Sequence, residues 1–265
     1  MSRKENSNNI PKISIVIPSL NKGNFIESTL ASIFSQSYRN FEVIIQDGGS
    51  SDQTLDVVNN YLKKYPDMIR CESKKDKGQF SAINAGMRKA RGEVLTYINA
   101  DDLYKRDAFK KVVEGYLNCK DALWLAGYGR MVDKNGKNIA GLSMFYKRLL
   151  TCINSYRLLL MVNYLMQPSV FLTRAAYKKF GPFKGTKDFV LEYEMWLKIG
   201  RTKMPRIINS DLSSFRMSGE NISSKKYKDL LDSDMKVLRK YTANRITLTL
   251  HRVHNSVRSM IVNTL

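Results

Sequence analysis

Cysteine is scarce in this chain: Cys71, Cys119 and Cys152 are odd in number and have no CxxC spacing. That excludes a disulfide framework and a structural zinc site, and buried free thiols are the expectation. The two histidines, His251 and His254, have no Cys or Glu partner at metal-ligand spacing and read as structural. No apolar run is long enough to cross a bilayer: Leu158 to Leu172 follows Arg157 and is broken by Asn163, Gln167 and Pro168. Met1 to Lys12 is polar and lacks the apolar core of a secretory signal, so the cytoplasmic side is the expectation. Neither GxGxxG nor GxxxxGK[ST] occurs, and no Ser-His-Asp or Cys-His arrangement can be argued. Acidic side chains are also few, 24 against 44 basic ones, for a net charge of +20. Such a balance attracts nucleic acid, anionic lipid or a phosphorylated substrate. Nucleic acid is disfavoured, because no RNA- or DNA-binding motif is present and the aromatics are not interleaved with Lys and Arg.

What the sequence does contain is a repeated strand, loop and helix. Ile13 to Ile17 is a β-branched run, and Ile26, Leu30, Ile33 and Phe34 then recur at helical spacing. Phe41 to Ile45 reads as a second strand, followed by a Gly48 to Asp52 turn and a helix marked by Leu55, Val58 and Leu62. Met68 to Glu72, Phe80 to Ala90 and Val94 to Ile98 continue as strand, helix and strand. Apolar strands alternating with amphipathic helices predict an α/β fold whose parallel sheet is covered on both faces, with ligands beyond the carboxyl ends of the strands.

Past residue 120 the pattern changes. Leu123 to Gly127 and Met131 to Ile139 predict added strands with a hairpin at Asn135-Gly136. Val170 to Thr173 reads as a strand and Asp188 to Ile199 as a helix, with short edge strands at Arg206 to Ile208 and Ser214 to Met217. Tyr227 to Leu265 is helical in pattern and has no carboxylate from Lys236 onward. It is either an interfacial basic helix or a solvated helix packed on the domain.

Three acidic features fall at strand ends. Asp47, before Gly48-Gly49, either accepts from a nucleobase imide or closes an Asx-type turn ahead of an Asp52 helix cap. In Asn99-Ala100-Asp101-Asp102 the paired carboxylates suit Mg²⁺ or Mn²⁺ held together with phosphate oxygens, or else one of them caps a helix starting near Arg106. Of the helical carboxylates, Glu194 has Lys198 four residues on, a solvated pair, whereas Glu192 has Trp196 there and is the better candidate for a general base. Lys74, Lys75 and Lys77 either attract a diphosphate or form an ordinary solvated loop.

These segments together resemble the family 2 glycosyltransferases, in the family's order from Ile13 to Ser223. The matching text is Ser14-Ile15-Val16-Ile17-Pro18-Ser19-Leu20-Asn21, Ile44 to Asp52, Asp76-Lys77-Gly78-Gln79, Ala82-Ile83-Asn84-Ala85-Gly86 and Gly92-Glu93 leading to Asn99-Ala100-Asp101-Asp102. Gln167-Pro168-Ser169 and Glu192-Tyr193-Glu194-Met195-Trp196-Leu197 match its acceptor half. The resemblance implies a GT-A fold, a Rossmann-like and mostly parallel central sheet flanked by helices. It implies a polar tail over 1–12, a nucleotide-sugar half over 13–120, an acceptor half over 121–223 and a basic helical extension over 224–265.

The same resemblance implies inverting transfer of a sugar from a nucleotide diphosphate, a UDP-sugar above all, to a glycan or polyprenyl-diphosphate-linked acceptor. Pro18, Ser19 and Asp47 would surround the base, with Asp76, Gly78 and Gln79 near ribose and diphosphate. Asn21, Asn84, Ala100 and Asp102 fall within the same donor motifs. Asn99 stands where an Asp often contacts ribose, and Asp101 is the expected ligand of Mn²⁺ or Mg²⁺. Glu192 matches the catalytic carboxylate, more often Asp, while Gln167 and Trp196 lie on the acceptor side. Ser218 occupies the place of a frequent His in Arg216-Met217-Ser218-Gly219-Glu220. An anionic membrane surface is an expected partner of the basic extension. The rival to this enzyme is a catalytically silent nucleotide-sugar-binding module.

Overall fold

The computed structural model describes residues 10–186, 189–218 and 227–263. Most of the expected polar tail, together with Asp188, Gly219 and Glu220, therefore lies outside the described residues.

The first half alternates as its sequence pattern requires: β1 (Ile13–Ser19), α1 (Gly23–Phe34), β2 (Phe41–Asp47), α2 (Thr54–Lys64), β3 (Ile69–Ser73), α3 (Gln79–Lys89) and β4 (Val94–Tyr97). A two-residue strand, β5 (Leu103–Tyr104), precedes α4 (Ala108–Leu117), β6 (Trp124–Asp133) and β7 (Asn138–Ile139). Then come α5 (Gly141–Ile153), α6 (Tyr156–Met161), β8 (Val170–Thr173) and α7 (Arg174–Phe180). The chain finishes with α8 (Glu192–Thr202), β9 (Arg206–Met217), α9 (Tyr227–Leu238) and α10 (Arg245–Asn263). The strands form one sheet in the order β3-β2-β1-β4-β8-β6-β9-β5, with β7 paired to β6. Strands β3, β2, β1 and β4 run parallel, whereas β8 enters antiparallel to both β4 and β6.

Side-chain alternation along the strands builds a core on each face of the sheet. Ile13, Ile15 and Ile17 with Phe41, Val43 and Ile45 pack on Ile26, Leu30 and Ile33 of α1 and on α4. Val16 and Ile44 point the other way, onto Ile83 and Met87 of α3 and a cluster that extends to Trp124, Trp196 and Val237. On that second face Glu42 is buried within a strand, and its charge is met by Arg70 at 2.7 Å, the Ser14 hydroxyl at 2.7 Å and the Arg91 amide at 2.6 Å. A buried carboxylate persists where such partners replace water.

Close approach also fixes two glycines. A Cβ on Gly86 would strike Val16, and one on Gly92 would strike the Lys12 carbonyl and the Ser14 hydroxyl. Gly92→Ala is expected to destabilise the fold by about 1–3 kcal/mol, because the obstacle is backbone and cannot rotate away. Urea denaturation measures this, and an unchanged midpoint would mean that the β1–β4 edge yields.

Several sequence expectations need correction. The strands expected at 123–127 and 131–139 are one long strand, β6, which turns back at Gly136 (φ +85) into β7. The two short edge strands are likewise one, β9, lying between β6 and β5; register shifts at Tyr128 absorb the polar Ser210-Asp211 interruption. The helix expected near Arg106 is α4, which begins at Ala108 behind a left-handed Asp107, but neither Asp101 nor Asp102 caps it. The cysteines are free but not buried, since Cys71 and Cys119 are half-buried and Cys152 is exposed.

Candidate active site

The loops after β1, β2 and β4 converge at the carboxyl edge of the parallel strands, where Gly48 N–H donates to the Ser19 carbonyl at 2.8 Å. Pro18 and Ser19 are buried at the end of β1, and the Ser19 hydroxyl, sealed from solvent, has no partner among the described residues. Buried hydroxyls are nearly always paired, so an orphan here marks a place where a ligand atom can complete it. Asn21 takes a left-handed turn (φ 50) and accepts from Ser51 N–H at 2.9 Å, joining the two loops. Asp47 takes the Asx-turn role, its carboxylate accepting from the amides of Gly49 and Ser50 at 3.0 and 2.8 Å and from Ser73 at 2.6 Å. Asp52 bonds the Thr54 and Gly23 amides at the starts of α2 and α1, at 3.0 and 2.9 Å. Asp76 closes its own turn onto Gly78 N–H at 2.7 Å, with Gly78 left-handed at φ 107. Lys74 reaches Glu72 at 2.6 Å on an exposed loop.

A chain of side-chain bonds then fixes the paired carboxylates. Gln79 donates to Asn99 at 2.6 Å, Asn99 donates to Asp102 at 3.2 Å, and the Arg216 amide donates to the other Asp102 oxygen at 2.9 Å. From below, Thr29 Oγ donates to the carbonyls of Ala100 and Asp102 at 2.9 and 2.8 Å. Asp102 is thus consumed by the protein, and burial, reinforced by the charge on Asp101, pushes its carboxyl well above the ordinary range. Asp101 differs, holding Lys22 Nζ at 2.9 Å and the Ser218 hydroxyl at 3.4 Å on the same oxygen. Among the described residues no group of three or more His, Cys, Asp or Glu converges to hold a metal ion. Asp101 nevertheless offers the hard oxygen donor that Mg²⁺ or Mn²⁺ takes when water and phosphate complete the shell.

Beyond Tyr97 lies a cavity of about 960 Å³, mostly apolar, with Glu192 in its wall at the first turn of α8. Burial raises the Glu192 carboxyl to about 7, and the nearby charge of Asp234 adds to this against the pull of Arg258. Tyr97 is buried, desolvation and to a lesser extent the neighbouring Glu192 and Asp102 push its phenol upward, and its carbonyl accepts from Gln167, a cavity-wall residue, at 2.8 Å. Lys147 and Asp234 in the wall were not singled out from the sequence, and His254, expected there to be structural, also lines the cavity. Burial lowers Lys147 to about 7 and raises Asp234 to about 6. Asp234 could have been found, because it falls on the apolar stripe of α9 between Leu231 and Leu238, where a lone carboxylate is unusual.

Three sequence-assigned residues have other occupations. Asn84 spends its amide on the Phe183 carbonyl (2.8 Å), the Phe183 amide (2.9 Å) and the Tyr177 hydroxyl (3.0 Å), so it clips α3 to the loop after α7. Asn84→Ala is expected to cost about 1–3 kcal/mol of stability while leaving nucleotide affinity unchanged, as denaturation and calorimetry together would establish. Trp196 is a core residue stacked on Trp124 at 5.5 Å, and it meets the cavity only at its wall. Glu194 is buried and pairs with Lys184 at 3.0 Å and Lys240 at 3.6 Å, so the expected solvated pair with Lys198 is not its main contact. Desolvation of Glu194 is outweighed by those lysines, and its carboxyl sits below the usual value. His251 is structural as expected, stacked on Tyr193 at 5.5 Å and bonded to the Leu160 carbonyl at 3.1 Å.

The family profile described as Glycosyl transferase family 2 matches residues 14–179. An uncharacterized glycosyltransferase of Rickettsia felis is 26% identical over 229 residues, 85% of this chain and 38% of that protein. The chain thus spans under two fifths of the length of the first curated relatives it matches. Among solved structures, residues 1–349 of S. aureus TarS in complex with UDP-GlcNAc align with TM-score 0.59 and 17% identity, over 85% of this chain and 66% of that one. The mannosyltransferase PcManGT from Pyrobaculum calidifontis, in complex with GDP-Man and Mn²⁺, aligns with TM-score 0.63 and 15% identity, over 93% and 74%. The mixed sheet flanked by helices is the GT-A fold of these neighbours.

Proposed function

The chain belongs to glycosyl transferase family 2, and from that membership we propose that it transfers a sugar, with inversion, from a nucleotide diphosphate to a hydroxyl of a glycan or lipid-linked glycan. The observation that carries this reading is the placement of Asp101, beside a fixed Asp102 at the carboxyl edge of the parallel strands, together with Glu192 in the wall of the apolar cavity.

Pro18, Ser19, Asn21 and Asp47 line the place for the base, with the Ser19 hydroxyl ready to bond it. Asp76, Gly78, Gln79 and Asn99 stand toward ribose and diphosphate, while Gln167 and Trp196 border the acceptor. Asp101 would hold Mn²⁺ or Mg²⁺, and Asn99, Ala100 and Asp102 set the loop that presents it. A divalent cation bound there supplies Lewis-acid stabilisation of the departing diphosphate. Glu192 takes the proton of the acceptor hydroxyl as that oxygen attacks the anomeric carbon from the face opposite the leaving group. A carboxyl near 7 is matched to that task, being largely ionised just above neutrality yet more basic than an exposed Glu.

Calorimetric titration with UDP, GDP and dTDP, each with Mn²⁺ and with EDTA, tests the donor half. Metal-dependent binding of UDP alone supports a UDP-sugar donor, and binding of no nucleotide would sink the reading. One observation favours a second reading, a silent binding module: the Lys22–Asp101 ion pair fills the cation's expected position. Donor binding with neither transfer nor hydrolysis would select that alternative.

A further inference from the structure

Two helices place apolar side chains in solvent in register. On α5, Leu142, Tyr146, Leu149 and Ile153 recur at spacings of four and three, with Leu142 84% exposed. On α10, Ile246, Leu250, Val253, Val257 and Met260 do the same, with Ile246 70% exposed. α10 packs on the protein through His251 and Asn255, opposite its stripe, and α5 packs through Thr151, opposite its stripe, and Leu150 at the stripe's edge. The helices meet where the Tyr146 and His254 rings lie 5.9 Å apart, and residues of both stripes line the cavity that holds Glu192. A contiguous exposed apolar surface of this kind marks an interaction site.

Charge selects the occupant. Neither α5 nor α10 contains a carboxylate, and exposed Arg148, Arg245 and Arg252 sit about 100–130° round their helices from the stripes. A second copy of the chain would bring these like charges together, whereas an anionic bilayer complements them while its acyl region takes the stripes. Among the described residues no helix is long and apolar enough to cross a membrane, so the contact is one of surface docking.

We propose that α5 and α10 form a docking face for an anionic lipid bilayer, and that the groove between them admits the apolar chain of a lipid-borne acceptor toward Glu192. The second part rests on Glu192 being the base; the first does not. The basic C-terminal stretch alone had suggested either a membrane-facing or a packed helix, and α10 is both, one face on the protein and the other available to lipid.

The test is cosedimentation of the full chain with vesicles of phosphatidylcholine, with and without phosphatidylglycerol. Binding is expected only to the anionic vesicles, weakening as salt screens the arginines. The pairs Leu142→Asp with Leu149→Asp, and Ile246→Asp with Val253→Asp, lie in solvent and should keep the fold while weakening binding by at least about tenfold each. Dodecyl phosphate below its micellar concentration should change tryptophan fluorescence through Trp196 in the wild type. No vesicle binding, or variants that bind like wild type, would overturn the docking face. A dimer in solution that the same variants dissociate would overturn it in favour of a second copy, and an unchanged spectrum would remove the groove's role. UDP titration of the same samples separates the two readings, since nucleotide binding without vesicle binding refutes this inference alone. Vesicle binding without nucleotide binding refutes the proposed transfer and spares the surface.

Discussion

Glu192→Gln should leave nucleotide binding intact and slow sugar transfer by about 10²- to 10⁴-fold, the range a positioned general base contributes. The amide keeps the shape of the side chain but cannot take a proton. Because burial raises the Glu192 carboxyl to about 7, the wild-type rate should fall roughly tenfold per pH unit below that value as the base form is lost. The direction follows from the chemistry: the carboxylate is the active form, so activity is present above pH 7 and lost as pH falls through it. In the Gln variant this acid limb should vanish. Rate profiles from pH 5 to 9 for both proteins, with a nucleotide titration of each, make the comparison. Full activity in the variant would move attention to Asp234, the other buried carboxyl at the cavity, raised by burial to about 6.

Asp101→Asn should abolish the metal dependence of nucleotide binding and reduce transfer by about 10²- to 10³-fold, as removal of one preorganised stabiliser of leaving-group charge does. Its neighbour cannot substitute, because the oxygens of Asp102 are taken by the Arg216 amide and by Asn99. Titrations with Mn²⁺ and with EDTA read the effect directly. If Mn²⁺ still tightened nucleotide binding to the variant, the cation would have to be held elsewhere.

The first half of the fold was legible because its physics is local. Ile13, Ile15 and Ile17 alternate with Ser14 and Val16, and period-two alternation in a short apolar run leaves little besides a buried strand. The second half depends on partners distant in sequence. In β9 the polar Asn209, Ser210 and Asp211 read as a break, and only pairing with β6 through a bulge keeps the strand continuous. The helix α5 escaped notice although its apolar spacing is regular, since it starts from a left-handed Ala140 without any side-chain cap. The same division holds in the site. That Asp101 and Asp102 form a pair could be read from the chain, but their separate roles come from Lys22 and Arg216. Asn84 sat in a motif whose text fits a ligand contact, yet its partners are Phe183 and Tyr177. Nothing in a linear pattern states which groups will compete for an amide.

The bond from the Arg216 amide to Asp102 spans 114 residues, and β5, the strand just beyond that loop, pairs only with β9. On the ribosome, the parallel strands and Asp101 emerge well before the segment that anchors them. At a synthesis rate of about 5–20 residues per second, the nascent chain carries Asp102 without its Arg216 partner for roughly 6–23 seconds. The loop of paired carboxylates is therefore finished last although it is encoded early, and a chain that stops before residue 216 leaves it held only from Lys22, Thr29 and Gln79.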